Sequence, residues 1–234
     1  MMGPHLNALG QPIGEPVPEW APPPPLPRDG MAGRFCRLEP VDPARHAEAL
    51  HAANSLDEDG AMWTYLPYGP FGSAGGYRAW IEATCLGDDP QFWVILDVAA
   101  GAPCGLASFL RNDRPNGVIE VGHLAFAPPL RRTAAATEAM YLMMRRVFDL
   151  GYRRYEWKCD ALNGASRTAA ERLGFTYEGT FRQAMVRKGR NRDTAWYSLL
   201  DREWPARRRA FERWLAPDNF DAAGGQRRRL GELG

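Results

Sequence analysis

Apolar residues in this chain follow two spacings, and the switches between them predict the order of the elements. Residues 33–39 alternate as a strand. Pro43 then opens a helix over 44–53, with Asp42 placed to cap its free N–H groups. The run Asp57-Glu58-Asp59-Gly60 breaks that helix, and residues 62–71 form an aromatic loop without regular period. Ser73 caps a second helix that sets Tyr77, Trp80, Ile81 and Thr84 on one face. Strands at 91–98, 103–111 and 117–127 follow as an antiparallel meander, linked by Gly- and Asn-containing turns. The first two carry continuous apolar runs, which predict a sheet covered on both faces.

From residue 134 the period returns to that of a helix. Ala136, Met140, Met143, Val147 and Leu150 recur at helical spacing, with Gly151 as the stop. A strand at 152–159 precedes a helix at 164–173 that Gly174 ends. A strand through Val186, a turn at 189–191 and a returning strand at 193–200 make a hairpin. The expected fold is mixed α/β: a largely antiparallel sheet flanked by helices.

The two ends read differently. Residues 1–32 hold nine of the twenty prolines. Proline fixes φ and removes a donor, so this segment is an extended arm. Trp20 is the side chain expected to anchor it to the body of the chain, with a proline-binding partner as the other reading. Residues 205–234 are arginine-rich and read as a solvated helix over 207–215 followed by a frayed tail.

Composition narrows the class. The chain is 45% hydrophobic and 24% charged with a net charge of +1, values of an ordinary globular protein without a field for nucleic acid or membranes. Cys36, Cys85, Cys104 and Cys159 are scattered, with neither a disulfide framework nor a metal-type spacing, so reduced thiols and no metal are expected. No apolar run reaches a membrane span, and no signal peptide pattern opens the chain. A cytoplasmic protein, monomer or homodimer, is the expectation.

Two stretches carry chemistry. Residues 120–137 read as a strand, a proline-punctuated turn bearing Arg131 and Arg132, and the start of a long helix. Unpaired helix N–H groups and cationic side chains there converge on one point suited to an anion such as a phosphate. Downstream, Asn163 fits a helix N-cap with Ser166 in the first turn, and the same helix ends in Leu173-Gly174-Phe175.

Taken together, Glu120-Val-Gly122, the turn from Arg131 through Ala136, Asn163-x-x-Ser166 and Leu173-Gly174-Phe175 resemble the Gcn5-related N-acetyltransferase (GNAT) superfamily. The branch they are most similar to holds the RimJ/RimL ribosomal-protein acetyltransferases. The resemblance covers roughly residues 33–204 and implies an acyl-CoA N-acyltransferase fold that uses acetyl-CoA. It implies that backbone of Leu124, Ala125 and Phe126 pairs with pantetheine. The pyrophosphate is implied to meet the N–H groups of Arg132, Ala134, Ala135, Ala136 and Thr137 with a side chain of Arg131 or Arg132. Asn163 is implied to hold pantetheine or Ser166. One position departs from the family turn: Ala134 stands where its first glycine belongs, which matters if φ there is positive.

Amine acetylation needs a proton acceptor, a donor for the oxyanion and a proton for the leaving thiolate. Glu120 matches the family's strand carboxylate and is the first candidate base; His123 is the second. Strand alternation puts these two on opposite faces unless a bulge intervenes. Many relatives have a tyrosine acid where this chain has Ala170, so Ser166 is the candidate to assist thiolate departure. The acceptor pocket is expected on the loop with Asp57, Glu58, Asp59, Trp63, Tyr65, Tyr68 and Phe71, an acidic rim with aromatic walls for a cationic amine. The acceptor classes left open are a small molecule, a lysine and a protein N-terminus. A silent CoA binder and an interaction module are the alternatives.

Overall fold

The computed structural model describes residues 5–233. A short exposed hairpin, β1 (His5–Leu6) and β2 (Pro12–Ile13), precedes β3 (Met31–Ala32), β4 (Cys36–Pro40), α1 (Pro43–Asn54) and α2 (Ala74–Thr84). The meander is β5 (Gln91–Asp97), β6 (Ala102–Asp113) and β7 (Val118–Phe126). Then come α3 (Ala134–Asp149), β8 (Arg154–Asp160), α4 (Gly164–Leu173), the hairpin β9 (Thr176–Arg187) and β10 (Arg190–Leu200), and α5 (Trp204–Leu215). Eight strands form one sheet in the order β3-β4-β5-β6-β7-β8-β10-β9. Every neighbouring pair is antiparallel except β7 and β8, which α3 joins as a parallel pair.

The apolar run of β5 has a simple cause. Trp93 and Ile95 point into a core built with α3, α4 and α5, while Phe92, Val94 and Leu96 point into a second core under α1 and α2. Both faces are covered, so alternation yields no polar residue. The helix caps follow the sequence: Asp42 accepts from Ala44 and Arg45 N–H, and Ser73 from Gly76 N–H. Thr84, however, is exposed, and Cys85 takes the buried place beside Ile81. Helix α3 is buried well beyond a single stripe, and its Glu138 carboxylate accepts the N–H groups of Arg34, Phe35 and Cys36 at 2.8, 2.6 and 2.8 Å. That triple contact ties α3 to the start of β4.

The C-terminal segment differs from the solvated helix and frayed tail expected. Ala210, Phe211 and Trp214 enter the α3 core, and Phe220, Leu230 and Leu233 beyond the helix are buried with them. An i, i+1, i+4 apolar stripe was present among the arginines, and burial of two large aromatics outweighs the solvation of their charged neighbours. In the arm, the Trp20 indole donates to Pro115 O at 3.0 Å and lies over Gly117, where a Cβ would come within 2.4 Å of the ring. Arg28 and Asp29 extend the attachment through ion pairs to Asp88 and Arg146.

Candidate active site

Parallel pairing of β7 with β8 runs only from Val118 opposite Arg154 to Val121 opposite Trp157. Beyond that point β8 stays with β10 through Asp160, while β7 stays with β6 through Phe126. The strands therefore part, and the edge of β7 carrying Gly122 to Phe126 has no strand partner toward β8. A cleft of about 400 Å³ opens there, bounded by β7, β8, the β9–β10 hairpin and the loop after α1. Ser166 and Asn163 lie along it on the α4 side; Glu120, His123 and Leu124 lie along it from β7.

Glu120 and His123 share this cleft because β7 carries a bulge. Leu106 faces Ala125 but Ser108 faces Gly122, so β7 has one residue more than β6 over that interval. His123 absorbs it at φ 52, a left-handed conformation that costs a non-glycine residue of order 1 kcal/mol or more. A second bulge in β6 puts Arg111 at φ 49, held there by Asp89, whose carboxylate accepts the N–H groups of Arg111 and Asn112 at 2.8 and 3.0 Å. That twist lays the Arg111 guanidinium on Glu120.

Glu120 is consequently occupied. Its Oε2 lies 2.6 Å from Arg111 Nη1 and 2.9 Å from Lys158 Nζ, with its side chain only 4% exposed. Lys158 also contacts Glu156 at 2.7 Å and sits 3.6 Å from the Trp196 ring centre. The carboxylate expected to take a proton is thus neutralised by two cations. His123 stacks on Tyr68, with centroids 5.6 Å apart, and meets the tilted Phe92 ring at 4.9 Å. Burial, with smaller contributions from Arg111 and Arg187, pushes its pKa down to about 4. The ring is neutral near pH 7, and its Nδ1 is buried without a hydrogen-bond partner.

On the other side of the cleft, Asn163 caps α4 by accepting the Ser166 N–H at 3.1 Å. The Ser166 hydroxyl accepts the Trp157 indole N–H at 3.0 Å, which leaves its own proton free to be donated. Ala170 is fully buried in the α4 core, so nothing there replaces the missing tyrosine.

The turn before α3 is arranged differently from expectation in three respects. Thr133 caps the helix, so the Ala136 N–H expected to be open for an anion is taken by its hydroxyl at 3.1 Å. Thr137 gives its N–H to Thr133 O, and its hydroxyl accepts from Arg172, so the open first-turn donors are those of Ala134 and Ala135. Arg131 is turned toward the loop after α1, donating to Phe126 O at 2.9 Å and to Asp57 at 2.7 Å. Arg132 remains exposed with φ 62. Ala134 is the first residue of α3, so the left-handed position falls two residues earlier and its methyl group brings no backbone strain.

The expected acidic rim is absent from the cleft. Asp57 is held by Arg131 and the Met62 N–H; burial raises its pKa, but these two contacts outweigh that and lower it overall. Asp59 accepts the Ala61 N–H, and Glu58 and Asp59 line a separate hollow with His51 and Trp63. Trp63 and Tyr68 pack into the α1–α2 core, the Trp63 ring lying directly over Gly69. Of the aromatics expected at the acceptor pocket, Tyr65 alone lines the cleft, and its hydroxyl donates to Leu162 O at 3.2 Å across the cleft mouth. What lines it instead is cationic: Arg111, Lys158, Arg187 and Arg192 against Glu120 and Asp160. Arg187 and Arg192 come from the hairpin, whose tip is fixed by Lys188 Nζ donating to Trp63 O at 2.8 Å and Gly69 O at 3.3 Å. Alternation on β10 signals the hairpin wall in the sequence, since Arg192, Thr194 and Trp196 share one face.

The parted strands beside the capped start of a helix agree with the acyl-CoA acyltransferase fold that the sequence resemblance implies. A family model described as the acetyltransferase (GNAT) domain matches residues 36–176, and the chain belongs to that acyltransferase family. A GCN5-related N-acetyltransferase from Brucella melitensis is 47% identical, with a TM-score of 0.90 over 93% of this chain and 99% of that one. A candidate GNAT-family acetyltransferase from Chromobacterium violaceum is 40% identical, with a TM-score of 0.77 over 84% of this chain and 98% of that one. YdaF of Bacillus subtilis, named as a candidate ribosomal N-acetyltransferase, is 31% identical over 105 residues. That match spans 44% of this chain and 57% of the relative's length. Similarity to YdaF supports the RimJ/RimL-like branch. No helix among the described residues is long and apolar enough to cross a membrane.

Proposed function

We propose that the protein transfers an acetyl group from acetyl-CoA to a primary amine bound in the cleft between β7 and the β9–β10 hairpin. The observation that carries this reading is the parting of β7 and β8 after Val121 and Trp157, which opens a cleft lined by both His123 and Ser166. Open N–H groups of Ala134 and Ala135, with the exposed Arg132, suit the pyrophosphate, and the free edge of β7 from Gly122 to Phe126 suits the pantetheine amides. When bound, acetyl-CoA supplies the activated acyl group and a thiolate leaving group. Ser166 keeps a proton to donate at the thiolate position, because its oxygen already accepts from Trp157.

Proton removal from the amine does not need a strong base here. An ammonium ion placed among Arg111, Lys158, Arg187 and Arg192 is disfavoured relative to the neutral amine, so these cations lower the acceptor's pKa. The His123 ring, which borders the cleft and is neutral near pH 7, is the group placed to accept one amine N–H and orient the nitrogen lone pair. Glu120 acts through Lys158 and Arg111 as a positioning residue.

The test combines binding with turnover. Acetyl-CoA and CoA are expected to raise the melting temperature, and free thiol is expected to appear only when an amine is added. Absence of stabilisation by millimolar acetyl-CoA sinks the proposal. Stabilisation without thiol release across amines and peptides replaces it with a silent CoA-binding protein.

A further inference from the structure

We infer that the acceptor carries an oxyanion, a carboxylate or phosphate, which the hairpin arginines Arg192 and Arg187 hold while the amine faces His123. The inference rests on the acetyl-transfer reading only for the identity of the cleft as the acceptor site.

The cleft has a charge imbalance that its own residues do not resolve. Glu120 balances Arg111 and Lys158, and Lys158 has Glu156 behind it. Asp160, the other acid on the wall, accepts the Leu162 N–H at 2.9 Å. Among the described residues neither Arg187 nor Arg192 forms an ion pair, and Arg192 Nε is buried without any hydrogen-bond partner. Asp160 and Glu120 favour its charge from a distance, but burial, the largest influence, and Arg187 act against it.

A guanidinium cannot shed its proton in this range, so it stays charged and short of partners until a ligand supplies them. Its planar fork matches two oxygens of one carboxylate or phosphate, which a chloride or a carbonyl does not satisfy equally. The surrounding rings of Trp196, Phe181 and Tyr65 provide flat apolar walls for the part of the acceptor between amine and anion. The same cations that lower the amine pKa thereby select the molecule that bears it.

The experiment measures binding without turnover, in the full-length protein, through fluorescence of Trp157 and Trp196 in the cleft. Benzoate and phenyl phosphate are titrated beside their neutral counterparts, benzamide and benzyl alcohol. The anions are expected to bind roughly 10-fold to 100-fold more tightly than the neutral probes, the range for hydrogen bonds to a charged group. Arg192→Met should erase that preference, and Arg192→Lys should restore part of it. Arg187→Gln, at the exposed hairpin end, should weaken both anions by a smaller factor. Circular dichroism and melting check the fold, and Arg192→Met is expected to be no less stable than the parent because it removes a half-buried cation whose Nε has no hydrogen-bond partner.

Comparison of benzoate with phenyl phosphate distinguishes a carboxylate from a phosphate acceptor. Equal affinity for acid and amide, including no binding of either in the millimolar range, overturns the inference. A preference that survives in Arg192→Met overturns it as well. Acetyl-CoA stabilisation is scored separately, so loss of the anion site leaves the acetyl-transfer reading standing and the reverse is equally visible.

Discussion

Replacing Glu120 by glutamine separates a carboxylate that holds the site from one that takes a proton. The substitution keeps shape and hydrogen-bonding capacity but removes the charge facing Lys158 at 2.9 Å and Arg111 at 2.6 Å. At an effective dielectric of about 20, each contact has a gross attraction of about 6 kcal/mol, much of it offset by desolvation. Breaking a buried pair from one side typically costs about 3–5 kcal/mol. Lys158 is only 8% exposed but keeps Glu156 at 2.7 Å, and Arg111, 47% exposed, regains water. Both features place the expected loss near the lower end, about 3 kcal/mol.

Urea unfolding followed by tryptophan fluorescence measures this, with Lys158→Met and the double variant closing a cycle. The coupling between the two positions is expected to exceed about 1 kcal/mol. Turnover of the folded Glu120→Gln protein should fall by less than about 10-fold, because a lost general base costs roughly 100-fold or more. An unchanged stability, within about 0.5 kcal/mol, combined with a hundredfold slower turnover refutes the positioning role and restores Glu120 as the base.

Other expectations follow from the same geometry. His123 has a folded pKa of about 4 against the ordinary 6.5, so the unfolded chain binds more protons between those values. Its contribution therefore destabilises the fold progressively as pH drops from 6.5 towards 4, by up to about 3 kcal/mol, and has no effect above that window. His123→Phe should flatten this part of the stability profile, and an unaltered profile excludes the assignment. Ser166→Ala should slow turnover more than it weakens CoA binding; equal losses in both would show a packing role with Trp157. Thr133→Ala should cost about 1 kcal/mol through loss of the α3 cap, readable in urea melts. Arg132→Ala should weaken CoA affinity more than Arg131→Ala, whose guanidinium already faces Asp57; the opposite order would return the pyrophosphate to Arg131.

Much of the scaffold could be read from local rules. Asp42, Ser73 and Asn163 cap their helices because each needs only its own next turn. The two-sided burial of β5 followed from an apolar run too short for a helix. The site was less legible because its geometry depends on distant partners. The bulge at Arg111 rests on Asp89, 22 residues earlier, and nothing in the local pattern near residue 111 signals it. Asp57 looked like part of an acidic rim until Arg131, 74 residues away, claimed it. Trp63 and Tyr68 looked available for a ligand, yet large rings near a sheet with an uncovered face gain more from closing that core. The C-terminal helix was obscured by composition, its arginines drawing attention from Phe211 and Trp214.

Lys188 joins two parts of the chain that have separate tasks. The elements on either side of the strand parting, β7 into α3 and β8 into α4, form one continuous stretch of sequence. The far wall of the cleft is assembled from a loop and a hairpin tip 125 and 119 residues apart, stitched by one ammonium group donating to two carbonyls. The tip of the hairpin can vary without touching the strand parting, whereas the body of β10 cannot, because β8 is paired with it from Arg154 to Asp160. Replacing Lys188 by methionine removes both of these hydrogen bonds between the hairpin tip and the loop at once.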